Sequence, residues 1–352
     1  MTATMIMGAS YGSLLAIKLL LAGHDATLVC LPDEAALING EGQLVRMPAK
    51  GRDGLVEVHS GKLAGSLSAA TPAGMDPAGY DLVVLAMQEP QYRAPAVREL
   101  LDRVAASKKP VMSIMNMPPL AYVRRIPGID TASLADCYTD ASVWDGFEPP
   151  RFTLCSPDPQ AFRPPDEKTN VLQVTLPTNF KAARFESEGS TALLRGLQAD
   201  IEAATFDDGE GAIALPVKLK VHDSIFVPLA KWAMLLTGNY RCVEDDGMRP
   251  IRDAVHSDPA LSESVYGWVC DVCRALGAAD GDLVPFEKYA AAADGLIRPS
   301  SAARALDAGA VNIERADRLV QALAAQKGMR NEVVDETVAR VDSWLDANRR
   351  KA

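Results

Sequence analysis

The first forty residues constrain this chain more than any other stretch. An apolar run, Thr4-Met5-Ile6-Met7, leads into Gly8-Ala9-Ser10-Tyr11-Gly12-Ser13. A helical stretch from Leu14 to Ala22 follows, then a Gly23-His24 stop and a second apolar run from Ala26 to Leu31. The order is strand, glycine turn, helix, strand. Small residues at such a turn let the backbone approach a pyrophosphate, and the helix that opens there offers N–H groups and the positive end of its dipole. Gly8, Ala9, Ser10, Tyr11 and Gly12 are therefore candidate dinucleotide-binding residues, with NAD(P) or FAD as the ligand class. The spacing departs from G-x-G-x-x-G: Ser10 stands in the middle glycine's place and Gly12 arrives one residue early.

With 352 residues, nearly half of them hydrophobic, the chain is long enough for two domains or one large α/β unit. A net charge of −10 and the lack of a Lys/Arg-dense stripe argue against nucleic acid and anionic membranes as partners, leaving a small molecule. The chain opens directly on the first strand, with no signal-like leader, and no apolar run is long enough to span a bilayer, so a cytoplasmic protein is expected. Six cysteines scattered over this length are no disulfide framework. Cys270 and Cys273 have C-x-x-C spacing, but they fall inside a helical pattern with no second pair and no histidine nearby, so they read as core, and no metal is expected.

Further strand-like runs lie at Leu44–Met47, Leu55–His59, Leu82–Met87, Val111–Met115, Arg151–Cys155 and Val171–Leu176, with a helical candidate over Pro90–Ala106. Alternation of this kind predicts a mostly parallel, doubly wound Rossmann-like sheet. The Pro-rich stretch 156–170 reads as a surface excursion. Beyond Asp207-Asp208-Gly209-Glu210-Gly211 strands nearly vanish, and helical periodicity takes over at 224–237, 261–276, 286–293, 312–326 and 332–348. We expect an α/β fold with a dinucleotide-binding domain over 1–211 and an all-helical substrate and dimerisation domain over 212–352.

Lys231 is the sole charge in the apolar segment Phe226–Asn239. A lysine in such a place can be desolvated until it works as an acid near neutral pH, or it can lay its stem on apolar surface and keep its ammonium in water. Sequence periodicity leaves both open. For His222-Asp223, the position before a helix suggests an N-cap aspartate beside an ordinary surface histidine.

The layout resembles that of the 6-phosphogluconate-dehydrogenase-like reductases, and the segment around Lys231 resembles the ketopantoate reductase family. In that family a lysine here is followed eight residues later by asparagine, and Lys231 and Asn239 keep the spacing. Ala22-Gly23-His24 and Ile38-Asn-Gly-Glu-Gly42 resemble its first two helix ends, Asn116 its strand-end asparagine, and Pro299-Ser300-Ser301 its serine element. Asn312-Ile313-Glu314 falls where the family carries its acidic segment; Glu314 takes the place of the family's glutamate with a one-residue shift, and Asn312 takes it without one.

The resemblance implies Lys231 as general acid, Glu314 and Asn116 beside it, substrate held by Asn239, Ser300 and Ser301, and Gln88 with Asn116 near the cofactor. It favours NADP(H) over NAD(H) and leaves room for a homodimer.

Departures from the family pattern bear on the substrate. Gln88 stands for a lysine and Leu31 for an arginine that commonly meets a 2′-phosphate, with Arg46 as a substitute if the next strand brings it near. Met115 and Met117 flank Asn116, which suggests a carbonyl compound more apolar than ketopantoate. The expected function is reduction of a small 2-oxo acid or related carbonyl compound by NAD(P)H. An opine-dehydrogenase-like reductase, relying on His222 or His256, and a dinucleotide sensor without catalysis are the alternatives.

Overall fold

The computed structural model describes residues 1–352. Two compact units emerge: the first comprises Met1–Met87, Gln91–Met115 and Val143–Asp223, the second Gln88–Pro90, Asn116–Ser142 and Ser224–Ala352. No helix is long and apolar enough to cross a membrane.

All the strands belong to the first unit: β1 (Ala3–Met7), β2 (Asp25–Val29), β3 (Leu44–Pro48), β4 (Leu55–His59), β5 (Leu67–Ala70), β6 (Leu82–Leu85), β7 (Val111–Ile114), β8 (Phe152–Ser156), β9 (Gln160–Phe162), β10 (Val171–Leu176), β11 (Phe180–Ala183), β12 (Phe206–Asp207), β13 (Ala212–Ile213) and β14 (Leu219–His222). The helices are α1 (Tyr11–Leu21), α2 (Pro32–Glu41), α3 (Pro95–Ser107), α4 (Leu120–Val123), α5 (Glu188–Ala203), α6 (Lys231–Met234), α7 (Ile251–His256), α8 (Pro259–Leu276), α9 (Phe286–Ala293), α10 (Ser301–Asp307), α11 (Ala316–Gln326) and α12 (Glu332–Lys351).

The main sheet has the order β14-β11-β8-β7-β6-β1-β2-β5. From β5 to β8 its strands run parallel, in the 3-2-1-4-5-6 order of a dinucleotide fold. The doubly wound expectation therefore holds. β6 and β7 are buried along their whole length, as continuous apolar strands covered on both faces must be. β11 joins β8 antiparallel and carries β14 parallel at the edge.

A smaller sheet, β4-β3-β10-β9, lies in the same unit. Its β9 falls inside the stretch read as a plain excursion: three residues carry too little pattern to announce a strand, and pairing with β10 supplies the order. The acidic stretch at 207–211 is the turn joining β12 to β13. The first unit then runs on through Asp223, because the half-polar edge strand β14 completes the sheet.

Two local differences have simple causes. The helix expected over Pro90–Ala106 begins at Pro95, with a 3₁₀ turn over Glu89–Arg93 before it. Proline holds the preceding Ala94 extended, at φ −58° and ψ 134°, and so starts the helix afresh. Asp223 caps no helix. It pairs with Arg195, while Ser224 accepts from the Phe226 N–H at 3.1 Å, and His222 ends β14.

Helix α1 is buried from Gly12 through Leu20, and Lys18 within it is only 1% exposed. Its ammonium donates to the Leu215 and Pro216 carbonyls at 3.2 and 2.9 Å. Burial, aided by the charge of Lys218, lowers its pKa to about 7. In the second unit Cys270 and Cys273 are buried along α8, and burial pushes both thiols up, Cys273 to about 12. They pack as small apolar residues.

Candidate functional site

The glycine turn after β1 fits a dinucleotide on two counts. Gly8 has φ +104°, and a Cβ there would lie 2.6 Å from the Ala86 carbonyl oxygen. A Cβ on Gly12 would lie 2.7 Å from Ile6 Cγ2, so this glycine lets α1 sit close against β1. Tight turn and close helix packing are two of the three jobs of the dinucleotide glycines. The third position is Ser10, at the N-cap of α1, whose side chain makes no cap hydrogen bond and whose carbonyl accepts from the Ser13 N–H at 3.0 Å. Tyr11 opens the helix.

The second unit gathers the candidate chemistry. The single helix expected over 224–237 is broken: a 3₁₀ turn at Val227–Ala230 leads into α6, which begins at Lys231, and a π-helical stretch covers Leu235–Asn239. The Tyr289 hydroxyl, 3.1 Å from the Met234 carbonyl, explains the break. That carbonyl would pair with the Gly238 N–H in an unbroken α-helix, and any Cβ on Gly238 would strike the same hydroxyl at 2.0 Å. Winding changes as a result. Residues eight apart lie about 80° apart around an α-helix; the slower-turning π stretch brings Asn239 back towards the face of Lys231.

Glu314 is buried, and its carboxylate accepts from the Glu89 N–H at 3.3 Å and from the Asn116 side chain. Its backbone is fixed as well, since the Tyr240 hydroxyl donates to the Glu314 carbonyl at 2.6 Å and accepts from the Ala316 N–H at 3.0 Å. Burial pushes the Glu314 carboxyl up to about 7, and the charge of Glu89 adds to the rise. The two hydrogen bonds and the charge of Lys231 pull the other way. Next in sequence, Arg315 grips Asp317 with two bonds of 3.0 and 2.9 Å and also pairs with Asp342, anchoring the segment that presents Glu314.

Glu89 was not singled out from the sequence. It is 2% exposed, and its carboxylate accepts from the Thr139 N–H at 3.0 Å and the Thr139 hydroxyl at 2.8 Å. Its neighbour Gln88, which was singled out, is exposed. A glutamate and a proline in the turn that follows the buried strand β6 are the available signal. Asn116 is half-buried, and its Oδ1 is buried without a hydrogen-bond partner, an acceptor open to a ligand donor.

The remaining candidates divide. Ser300 is buried, caps α10 by accepting from the Ala303 N–H at 3.1 Å and donates to the Asn239 carbonyl at 2.7 Å, so it holds Asn239; Ser301 is exposed. Asn312 receives Arg349 at 3.5 Å. Met115 and Met117 are both buried, at 2% and 0% exposure, so they form core beneath Asn116 and present no apolar wall to a substrate. Arg46 is committed to Glu57 and Glu167. His256 is engaged by the Ala290 carbonyl and Asp294, and His222 ends β14 in the first unit.

No model of a protein family matches the chain, and no curated protein does. Solved structures do, over essentially the whole length. A putative ketopantoate reductase from Ralstonia solanacearum MolK2 superposes with TM-score 0.66 at 16% identity, covering 99% of both chains. The 2-dehydropantoate 2-reductase from Methylococcus capsulatus gives 0.65 at 13%, covering 99% of this chain and 98% of its own. A D-mandelate dehydrogenase solved with NADH and anilino(oxo)acetate gives 0.64 at 12%, with 99% of both covered. The protein therefore has the fold shared by the ketopantoate reductases and D-mandelate dehydrogenase.

Proposed function

We propose that the protein is an NAD(P)-dependent oxidoreductase that reduces a small 2-oxo acid or related carbonyl compound. The observation that carries this reading is the grouping, in one unit, of buried Glu314 with Asn116, Glu89 and the charge of Lys231, in a chain whose other unit opens on a dinucleotide-type turn. The first unit is the cofactor-binding part, with Gly8, Ala9, Ser10, Tyr11 and Gly12 at the pyrophosphate. The second unit supplies the substrate-facing groups and a homodimer surface.

Gly8, Ala9, Ser10, Tyr11 and Gly12 would hold a nicotinamide dinucleotide, which would supply the hydride for the carbonyl carbon. Lys231 places its ammonium at the carbonyl oxygen, stabilises the alkoxide as charge develops and donates a proton to it. Glu314, its carboxyl pushed up to about 7 by burial, lies near enough to feel the charge of Lys231 and balances it when ionised. Asn116 offers its open acceptor and Asn239 a polar side chain to the ligand, with Ser300 fixing Asn239 from behind and Ser301 at the mouth of α10. Gln88 brings no positive charge where the resembled family has lysine, so the substrate is one that forgoes that charge-assisted bond. Such a bond is worth about 1.5 to 3 kcal/mol, or roughly ten- to a hundredfold in affinity or rate. The likeness to a dehydrogenase solved with anilino(oxo)acetate supports 2-oxo acids with a bulky apolar substituent as the substrate class.

NADP(H) is the favoured cofactor. Fluorescence titration with NADPH and NADH, followed by steady-state assays on ketopantoate and a panel of bulkier 2-oxo acids, tests the reading. Binding of neither dinucleotide removes it, and a kcat/KM for ketopantoate well above all others returns the substrate to the plain family one.

A further inference from the structure

The smaller sheet delivers an arginine onto the glycine turn. Arg163 directly follows β9; its Nη2 donates to the Ala9 carbonyl at 2.8 Å and pairs with the carboxylate of Glu34 in the first turn of α2. Its Nε is buried without a hydrogen-bond partner. Cys30, the residue after β2, lies near enough to feel the charges of both Glu34 and Arg163. The three side chains therefore meet where the second strand ends. In a dinucleotide fold that is the adenosine ribose position, where a carboxylate suits a 2′-hydroxyl and an arginine suits a 2′-phosphate.

Other cations do not serve this place. Leu31 is 74% exposed and uncharged, and Arg46 is held by Glu57 and Glu167. Arg163 is the guanidinium the fold brings there, from a segment more than a hundred residues away in sequence. Its planar fork matches two phosphate oxygens at once, whereas Glu34 engages only Nη2 and leaves Nε with nothing. A phosphate taken by the fork would satisfy the donor that the carboxylate leaves over.

We propose that Arg163 recognises the 2′-phosphate of NADPH, and that Glu34 holds the guanidinium over the turn until the phosphate displaces it. The proposal rests on the dinucleotide reading above. An unphosphorylated ribose offers no anion to compete for Arg163, so Glu34 keeps its partner when NADH binds. Selectivity then arises from an exchange of anions at one guanidinium.

The test is equilibrium fluorescence titration of the full-length protein with NADPH and with NADH, for the wild type and for Arg163→Gln, Arg163→Lys and Glu34→Gln. Thermal unfolding of each variant checks that it is folded. Arg163→Gln should weaken NADPH roughly ten- to a hundredfold, the loss of a charge-assisted bond, and change NADH by less than about twofold. Arg163→Lys should recover part of the NADPH affinity, since it keeps the charge without the fork. Glu34→Gln should tighten NADPH by removing the competing anion. Equal weakening of both dinucleotides by Arg163→Gln overturns the proposal and gives the arginine to the shared pyrophosphate. A large loss of NADH affinity in Glu34→Gln overturns it too, by making Glu34 a ribose ligand. Wild-type protein that binds neither dinucleotide overturns the functional reading itself, an outcome distinct from both.

Discussion

Lys18 in the first unit and Glu314 in the second are both buried and both held near pH 7, yet their surroundings differ in kind. Lys18 spends its donors on two backbone carbonyls, and its charged neighbour is another lysine, Lys218. It acts as a bolt between α1 and the segment leading into β14. Glu314 shares its place with a second carboxylate, an amide and a lysine. A displaced pKa therefore marks burial in one unit and assembled chemistry in the other, and the neighbouring side chains tell the two apart. The same contrast runs through the two units at large. The first has a turn of small residues in close backbone packing; the second gathers polar side chains.

The largest break in that contrast would come from the glycine turn. Gly12→Asp should abolish dinucleotide binding, because even its Cβ has no room beside Ile6 and its charge opposes the pyrophosphate. Wild-type affinity in this variant, measured by fluorescence titration, would remove the turn from the site. Lys231→Ala should do the reverse. Turnover should fall roughly a hundredfold or more with dinucleotide affinity nearly unchanged, as expected for a lost general acid. Near-normal kcat would make Lys231 a lysine that merely lies along apolar surface.

Stability against pH separates the two buried groups. Lys18 keeps its proton up to about pH 10.5 when unfolded but releases it near 7 when folded. The unfolded state thus binds more protons across that window. The contribution of Lys18 is fully present above pH 10.5 and declines as pH falls towards 7, by at most about 1.4 kcal/mol per pH unit. Glu314 has the opposite slope. It ionises near 4.5 unfolded and near 7 folded, so its contribution is present below pH 4.5 and is lost as pH rises through 7. Urea unfolding at pH 7.5 and 9.5 should show a steeper gain for wild type than for Lys18→Met; equal gains would mean that Lys18 stays charged in the fold.

The smallest effect concerns Glu89. Replacing it with glutamine removes a negative charge beside Glu314 and makes that group easier to ionise. The acid limb of the kcat profile should move to lower pH while affinity for NADPH holds. An unshifted limb would leave Glu89 as a scaffold for Thr139 alone.

Much of the first unit was legible because its signals are local. Gly8, Gly12 and the buried runs of β1, β6 and β7 each carry their reason within a few residues. The site was legible only where one residue stood out from its own segment, as Lys231 does. Glu89 and Arg163 were hidden because their meaning lies in partners far along the chain, Glu314 and Thr139 for one, Ala9 and Glu34 for the other. Met115 and Met117 misled for the same reason: sequence shows that they flank Asn116 and cannot show that both face the core. The break after Met234 depends on a hydroxyl from Tyr289, fifty-five residues on.

The chain passes from one unit to the other after Met87, Pro90, Met115, Ser142 and Asp223. Gene dissection meets this interleaving directly. A fragment spanning 224–352 would carry Lys231 and Glu314 but leave Glu89, Asn116 and Thr139 behind on the other piece. A chimera built by exchanging the helical half with that of a relative must therefore transplant 88–90 and 116–142 along with it, or Glu314 loses the Glu89 N–H and the Asn116 amide that hold it. A single crossover before Gln88 keeps Glu89, Asn116, Thr139, Lys231 and Glu314 on one piece but parts the glycine turn and Glu34 from Arg163, whereas a crossover near Ser224 divides the Glu314 cluster itself.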